Sequence, residues 1–371
     1  MRGAVPAGQC PQIIVAGDRA PPPEPLPSQA DVKTRYPDGS VEYAVMATVV
    51  PAIPAGGTVT LSFEAGGCGN EPLTRAQMLG TNFNFDAQIA LAVPAGIYGA
   101  SLATAANQIS TWTAITNGGF SIAVNGATYQ LTGLDFSGQT AMRGVATVVK
   151  AALKAAAAPA TIAYQKIDNA TGAISRFVVV STLDGPGSTI AAATAPAFGT
   201  DISGLLGLAA GSGPTIAQGG APKVSARTML ANGDYKLLTS GPVAQTIILA
   251  DDSAQRRYDI GFGDGYHPLR PRFYATFWPL THQVLVRAVG ENDLTSEVED
   301  LAYKFTLTGG TAAAAEASED LSGAQKTHPK RHWAMTAWSK SFWLGGTPSP
   351  QVDIDNNLAY LETTRFLPNY D

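Results

Sequence analysis

Four histidines, two cysteines and few carboxylates set the chemistry open to this chain. His328 and His332, in HPKRH, have the four-residue spacing that on a helix turns two imidazoles towards one metal ion. Pro329 lies between them, Lys330 and Arg331 repel a cation, and no third ligand follows. The segment reads as a basic surface loop beside Trp333, and no metal or other cofactor is expected. In DIDNN, Asp353, Asp355 and Asn357 alternate as at the start of a calcium loop. Leu358 stands where that loop needs glycine, and Thr364 where it needs a bidentate glutamate, so capping of a following helix by Asp355 or Asn356 is the better reading.

Proton abstraction from an acidic sugar needs a base and a cation that neutralises the carboxylate. His267, Arg270, Arg272, Tyr274 and Glu291, in the aromatic-rich stretch 258–291, are the nominal catalytic candidates. The competing reading makes Phe273, Phe277 and Trp278 sandwich core and Arg270 and Arg272 an exposed strand edge. Trp333, Trp338, Phe342 and Trp343 concentrate three of the five tryptophans in one short stretch. They suit a protein interface or core packing, including a buried helix face through 338 and 342, better than a glycan platform. Cys10 and Cys68 lack the near Cys or His neighbours of a zinc site or redox pair, and a disulfide between them is left open.

Composition narrows the class. At 371 residues, 45% apolar and 14% charged, the chain has ample material for buried cores in two to three domains. The 39 glycines and 25 prolines favour turn-rich β domains over a helical bundle. A net charge of −5 without a basic block excludes a non-specific nucleic-acid binder, which needs a cationic face to displace counterions from phosphates. The start, MRGAVPAGQCPQ, lacks the apolar run of a secretory signal, and the most apolar windows, 87–106 and 141–164, are broken before a membrane span is complete.

The elements that would position these residues follow from periodicity. Residues 1–30, with PPPEPLPSQ, read as a Pro-rich arm. From Asp31 to residue 116 the chain reads as the first part of an antiparallel β-sandwich, with a turn at Pro37-Asp38-Gly39, a strand in TVTLSFE, and a weakly patterned connector from Gly66 holding short candidate strands near 88–93 and 110–115. Residues 117–220 read as an inserted small α+β domain. A hairpin turns at Asn125-Gly126, a helix follows with Met142, Val145, Val149 and Leu153 on one face, and TIAYQKI and RFVVVST supply two strands. Residues 221–310 return to sandwich strands, starting with SARTMLANGDYKLLTSGPVAQTIILADDS and including RYDIGFG. Residues 311–371 form a Trp-rich C-terminal segment with a short helix anchored by Leu358, Leu361 and Phe366. The fold class expected is mainly β with an α+β module.

Two resemblances attach to these residues. The hairpin, helix and RFVVVST strand are followed by Ser181, Gly185, Ser188 and Ile190, then Gly199-Thr200-Asp201 and Leu205-Leu206-Gly207-Leu208. In that order, residues 117–220 resemble a module of contractile-phage tail-sheath-like proteins and other phage tail components. The resemblance implies a virion setting and no catalytic residue. VKTRYPDGSVEYAV, GPVAQTIIL, RPRFYATFWP, VRAVGEN and HWAMTAWSKSFWLGG together resemble the N-terminal sandwich of rhamnogalacturonan exolyase-like proteins, with no catalytic part of that family recognisable. The expectation is a structural protein of a tailed-phage particle. It would be a tail appendage, either the virion-proximal part of a fibre or a baseplate or connector component, acting in assembly and host attachment. Its expected partners are other virion proteins and further copies of itself, as trimer or hexamer, made in the host cytoplasm for the virion tail. The alternatives are a polysaccharide lyase-like depolymerase and a non-catalytic adhesin that binds host-surface polysaccharide.

Overall fold

The computed structural model describes residues 3–15, 25–69, 71–169, 172–261, 267, 269–292, 302–308 and 336–344. Among them the chain is mainly β, in several largely antiparallel sheets, with a small α+β module. Among the described residues, no helix is long and apolar enough to cross a membrane.

A sandwich is built from two sheets. One orders the strands Lys223–Ser225, Asp86–Ala92 and Ala302–Thr308; the other orders Tyr235–Thr239, Gln245–Leu249, Leu269–Trp278, Gln283–Asn292 and Thr336–Leu344. Their side chains alternate, as a half-buried sheet requires: Ala87, Ile89 and Leu91 from the first sheet share a core with Ile247, Leu249, Phe273, Ala275, Phe277, Val284, Val286 and Ala288 from the second. Phe83 and Phe85 meet Phe277 edge to face, at centroid distances of 5.1 and 5.3 Å.

The module leaves this sandwich after Ala92 and comes back beside its own point of departure. Val93 and Gly220 exchange backbone hydrogen bonds of 2.9 and 3.0 Å, the Leu91 amide donates to the Pro222 carbonyl at 2.9 Å, and Lys223–Ser225 pairs antiparallel with residues 88–90. A chain that departs and returns at adjacent points reads as an insertion in one strand pair. Inside the module, the hairpin Gly118–Val124 and Ala127–Leu134 turns where expected, with φ of 51° at Asn125 and 81° at Gly126, the paired positive values that a tight hairpin turn of this twist needs. The helix Met142–Ala155 buries Val145, Val149 and Leu153 against that hairpin and the strand Ala160–Asn169, and it stops before Pro159. Trp112 is fully buried between Phe136 and Phe177, and its indole N–H donates to the Ala106 carbonyl at 2.8 Å.

The two parts meet in one sheet, ordered Thr215–Ala217, Gly96–Tyr98, Gly172–Ser181 and Ala160–Asn169. Phe177 and Val179 pack into the module core, while Val178 and Val180 pack into the sandwich core; Ile97 and Tyr98 divide in the same way. This explains the unbroken apolar run in RFVVVST, since a strand covered on both faces has no polar side to present.

Several expectations change here. The stretch 66–116 is not a single connector, because residues 86–93 belong to the sandwich core whereas Ala95, Ile97 and Trp112 belong to the module core, which therefore begins well before residue 117. The candidate strand at 110–115 is the short helix Ile109–Thr113. SARTMLANG opens with the helix Ala226–Asn232, because the Ser225 hydroxyl caps it by accepting from the Thr228 amide and Gly233, at φ 82°, ends it. In the described part of RYDIGFG, through residue 261, the only strand pairing is a bridge from Ile260 to Leu269. The strands expected to start the sandwich lie outside it: Ser28–Arg35 pairs with Val41–Thr48 around the Pro37-Asp38-Gly39 turn, and Leu61–Gly66 pairs with Cys10–Val15. Residues 1–30 are accordingly not only an arm.

Cys10 and Cys68 form a disulfide with Cα atoms 5.1 Å apart, next to the last rung of the second ribbon, Cys10 opposite Gly66. Closing a chain of that length constrains the unfolded state by about 4 kcal/mol in the chain-entropy view. Of the described residues from 3 to 69, none belongs to either of the two large cores, and Gln29 reaches the sandwich, its buried carbonyl oxygen accepting from the amides of Val243 and Ala244 at 3.2 and 2.8 Å.

The shared strand generates a stability prediction. Phe177→Ala removes a fully buried ring from the module core and is expected to cost about 3–5 kcal/mol. Because the same strand serves both cores, hydrogen exchange in denaturant should show the Gly118–Val124 and Leu269–Trp278 strands opening together. Separate midpoints for the two strands would contradict the coupling.

Candidate functional site

Four of the five nominal catalytic residues come together on the outer face of the five-stranded sheet. The strand Leu269–Trp278 buries every second residue from Leu269 to Phe277, so Arg270, Arg272 and Tyr274 share the opposite face. Antiparallel register sets Arg270 opposite Glu291 and Tyr274 opposite Arg287. Arg272 lies 3.4 Å from the carboxylates of both Glu291 and Asp252, Lys236 donates to Asp252 at 2.8 Å, and the Arg287 guanidinium sits 5.8 Å from the centre of the Tyr274 ring. The Lys236 hydrogen bond, with the charges of Lys236, Arg272 and Arg270, holds the Asp252 carboxyl below 3.8. Cations and carboxylates interleaved across neighbouring strands fix register on a sheet face. His267, just before the strand, is exposed and joins none of these described pairs.

The aromatic candidates divide. Trp338, Phe342 and Trp343 lie on the edge strand Thr336–Leu344, at register positions opposite Gly290, Val286 and Leu285, so the helix-face alternative for 338 and 342 is replaced by a strand. Trp333, His328, His332, Asp353, Asp355 and Asn357, with the short helix expected after them, lie outside the described residues.

A polar knot that the sequence did not announce sits next to the charged face. Asp251 accepts from the amides of Ser253 and Arg257 at 2.9 and 2.7 Å, and Arg257 reaches Asp234 at 2.6 Å. The Tyr258 hydroxyl donates to Asp234 and accepts from Asn232 at 2.8 Å. The loop 251–259 is thereby tied to the end of the helix Ala226–Asn232. The Ser253 hydroxyl, then the two amides and the Arg257 guanidinium, lower the Asp251 carboxyl from 3.8 to about 2 against the opposing effect of burial. Burial first, and the Asp234 carboxylate second, push the Tyr258 phenol up. The only sequence signal was the Asp-x-Ser spacing of 251 and 253, a common local turn.

In the module, the residues that carried the sequence pattern form one hydrogen-bond knot. The Asn125 side chain donates to the Ser181 hydroxyl at 3.0 Å and accepts from the Thr189 amide at 2.9 Å, and the same Ser181 oxygen accepts from the Leu183 amide at 3.0 Å. Ser188, fully buried, accepts from the Ala95 amide at 2.9 Å. Gln218 stands in for a missing strand by bonding both the amide and the carbonyl of Ile190, at 3.1 and 2.9 Å. A Cβ on Gly219 would lie 2.2 Å from the Gly185 carbonyl oxygen, and one on Gly199, at φ 95°, would lie 2.7 Å from that of Asn117. Ile202, Leu206 and Leu208 are fully buried beneath these loops. The Ser, Gly and Thr-Asp pattern is therefore what lets a long loop wrap a hairpin without leaving its backbone unpaired.

This arrangement is similar to a phage tail module. Residues 92–220, about a third of the chain, match the family model described as the insert domain of the E217 tail sheath protein gp31. The match starts at the end of the Asp86–Ala92 strand, just before the module core begins at Ala95, and ends at Gly220, where the chain rejoins the sandwich. Comparison with curated proteins gives no match. Among solved structures, FliD (HAP2) from Pseudomonas aeruginosa PAO1 is 18% identical with a TM-score of 0.21, over 44% of this chain and 62% of that one. The chain thus spans less than two thirds of that protein, and a likeness this slight carries no argument.

The Asp251 knot is testable by acid. Its carboxyl titrates lower in the folded than in the unfolded chain, so its contribution is complete above the unfolded value near 3.8 and is lost as pH falls through about 2. Asp251→Asn should lower the urea midpoint at about pH 6, and its deficit against the parent should shrink towards about pH 2. A deficit independent of pH would show that the carboxylate charge is not what the loop depends on.

Proposed function

We propose that this chain is a structural component of a phage tail, with residues 92–220 as a tail-sheath-insert-like module carried on a β-sandwich. The observation that supports it is the agreement between the family match and the inserted segment: residues 92–220 contain the whole module core, from Ala95 to Leu208. Within this reading the chain is a tail appendage, either the virion-proximal part of a fibre or a baseplate or connector component. It works in particle assembly and host attachment, by contact with other virion proteins and with further copies of itself as a trimer or hexamer. Symmetric particles are built by repeating such contacts, and a rigid insertion held at both ends suits that use better than a flexible appendix.

Native mass spectrometry of the purified full chain, with negative-stain microscopy, tests this. Discrete trimers, hexamers or larger regular assemblies are the expected result. A persistent monomer that also releases unsaturated uronate ends from acidic polysaccharide would replace the structural reading with a depolymerase.

A further inference from the structure

We propose that the Cys10–Cys68 disulfide is a redox latch on the N-terminal β unit, which closes that unit onto itself in oxidising surroundings and releases it on reduction while the two-core body stays folded. The inference is independent of the tail reading.

Three observations carry it. First, the unit consists of two two-stranded sheets, Cys10–Val15 with Leu61–Gly66 and Ser28–Arg35 with Val41–Thr48, and a two-stranded sheet is marginal on its own. Second, its described residues add nothing to either hydrophobic core, and Tyr43, Val45, Leu61 and Phe63 on its strands are exposed. The unit's own buried apolar set is small, Cys10, Ile13, Ile14 and Ala30 among its described residues, so the covalent link adds substantially to what that packing and the Ile13–Ser28 hydrogen bond supply. Third, the two sulfurs are unequally presented: Cys10 is 4% exposed, whereas Cys68 is an exposed residue just past the ribbon's end.

That asymmetry gives the reaction a direction. The thiolate of a dithiol reductant attacks Sγ of Cys68, forming a mixed disulfide and breaking the Cys10–Cys68 bond; Cys10 departs as a thiolate and takes up a proton. The second thiolate of the reductant then displaces Cys68, which is also protonated, and the reductant is oxidised by two electrons to its own disulfide. With the rung beside Cys10 and Gly66 no longer tethered, the Cys10–Val15 and Leu61–Gly66 ladder opens from that end. A reducing compartment keeps such thiols apart, so the unit closes when the protein leaves it.

The test is hydrogen exchange with mass spectrometry on the full chain, with and without dithiothreitol, the thiols counted by iodoacetamide labelling. In the reduced protein the amides of Cys10–Val15 and Leu61–Gly66 should exchange at least about ten-fold faster. Those of Asp86–Ala92, Gly172–Ser181 and Leu269–Trp278 should be unchanged. Cys68→Ser, at the exposed position, should show the reduced pattern with or without dithiothreitol. Unchanged exchange in the ribbon after full reduction would overturn the latch, as would a parallel loss in the sandwich strands, or two free thiols in protein held under air.

Discussion

Both hydrophobic cores of this fold depend on one strand being buried from both sides. Between Phe177 and Val180 the side chains alternate between two hydrophobic cores, so the strand is the floor of the module and the roof of part of the sandwich. Neither core is complete without it. Moving its register by one residue would exchange the two sets, sending Phe177 towards the sandwich and Val178 towards the module, and neither cavity has the shape of the other's residue. The strand is therefore pinned along its length, by Gly96–Tyr98 on one side and by the whole of Ala160–Asn169 on the other.

That constraint makes sense of the loops around it. The segment from Ser181 to Gly220 has little regular structure, yet it covers the hairpin and must satisfy its own backbone. It does so with side chains that imitate strands and turns: Asn125 and Gln218 each bond amides or carbonyls that a neighbouring strand would otherwise take, and Ser188 meets the Ala95 amide. Glycines stand where a side chain would strike backbone. The Ser, Gly and Thr-Asp pattern of this module is in this case a list of backbone contacts.

How much was legible in advance divides along physical lines. The Asn125-Gly126 hairpin and the Met142–Ala155 helix were legible because local chemistry and periodicity point the same way. The helix Ala226–Asn232 was not, since a seven-residue element gives too few turns for its period to stand out from a strand, and its Ser225 cap precedes residues also compatible with extended chain. The Asp86–Ala92 strand was seen, but not that the chain divides between two cores a few residues later, because apolar residues on either side of Val93 look alike in sequence. The disulfide was left open, as pairing depends on the meeting of strands separated by 58 positions. On the charged face, residue type alone singles out Arg270, Arg272 and Tyr274, but the carboxylates that answer them are set by strand register and by Asp252 on a loop.

The way the module is attached also decides how it bears load. If the only link were the ladder between residues 88–93 and 220–225, a pull on the module along the chain would part those hydrogen bonds one after another, like a zipper, each bearing the whole force in turn. Tyr98, Val178 and Val180 change that geometry, because they are seated in the sandwich core and belong to two paired strands of the sheet that joins it to the module. Tension must then drag several buried side chains out at once, and the junction behaves as a bolted joint: stiff up to a threshold, with the module and its host moving as one body under a sudden thrust.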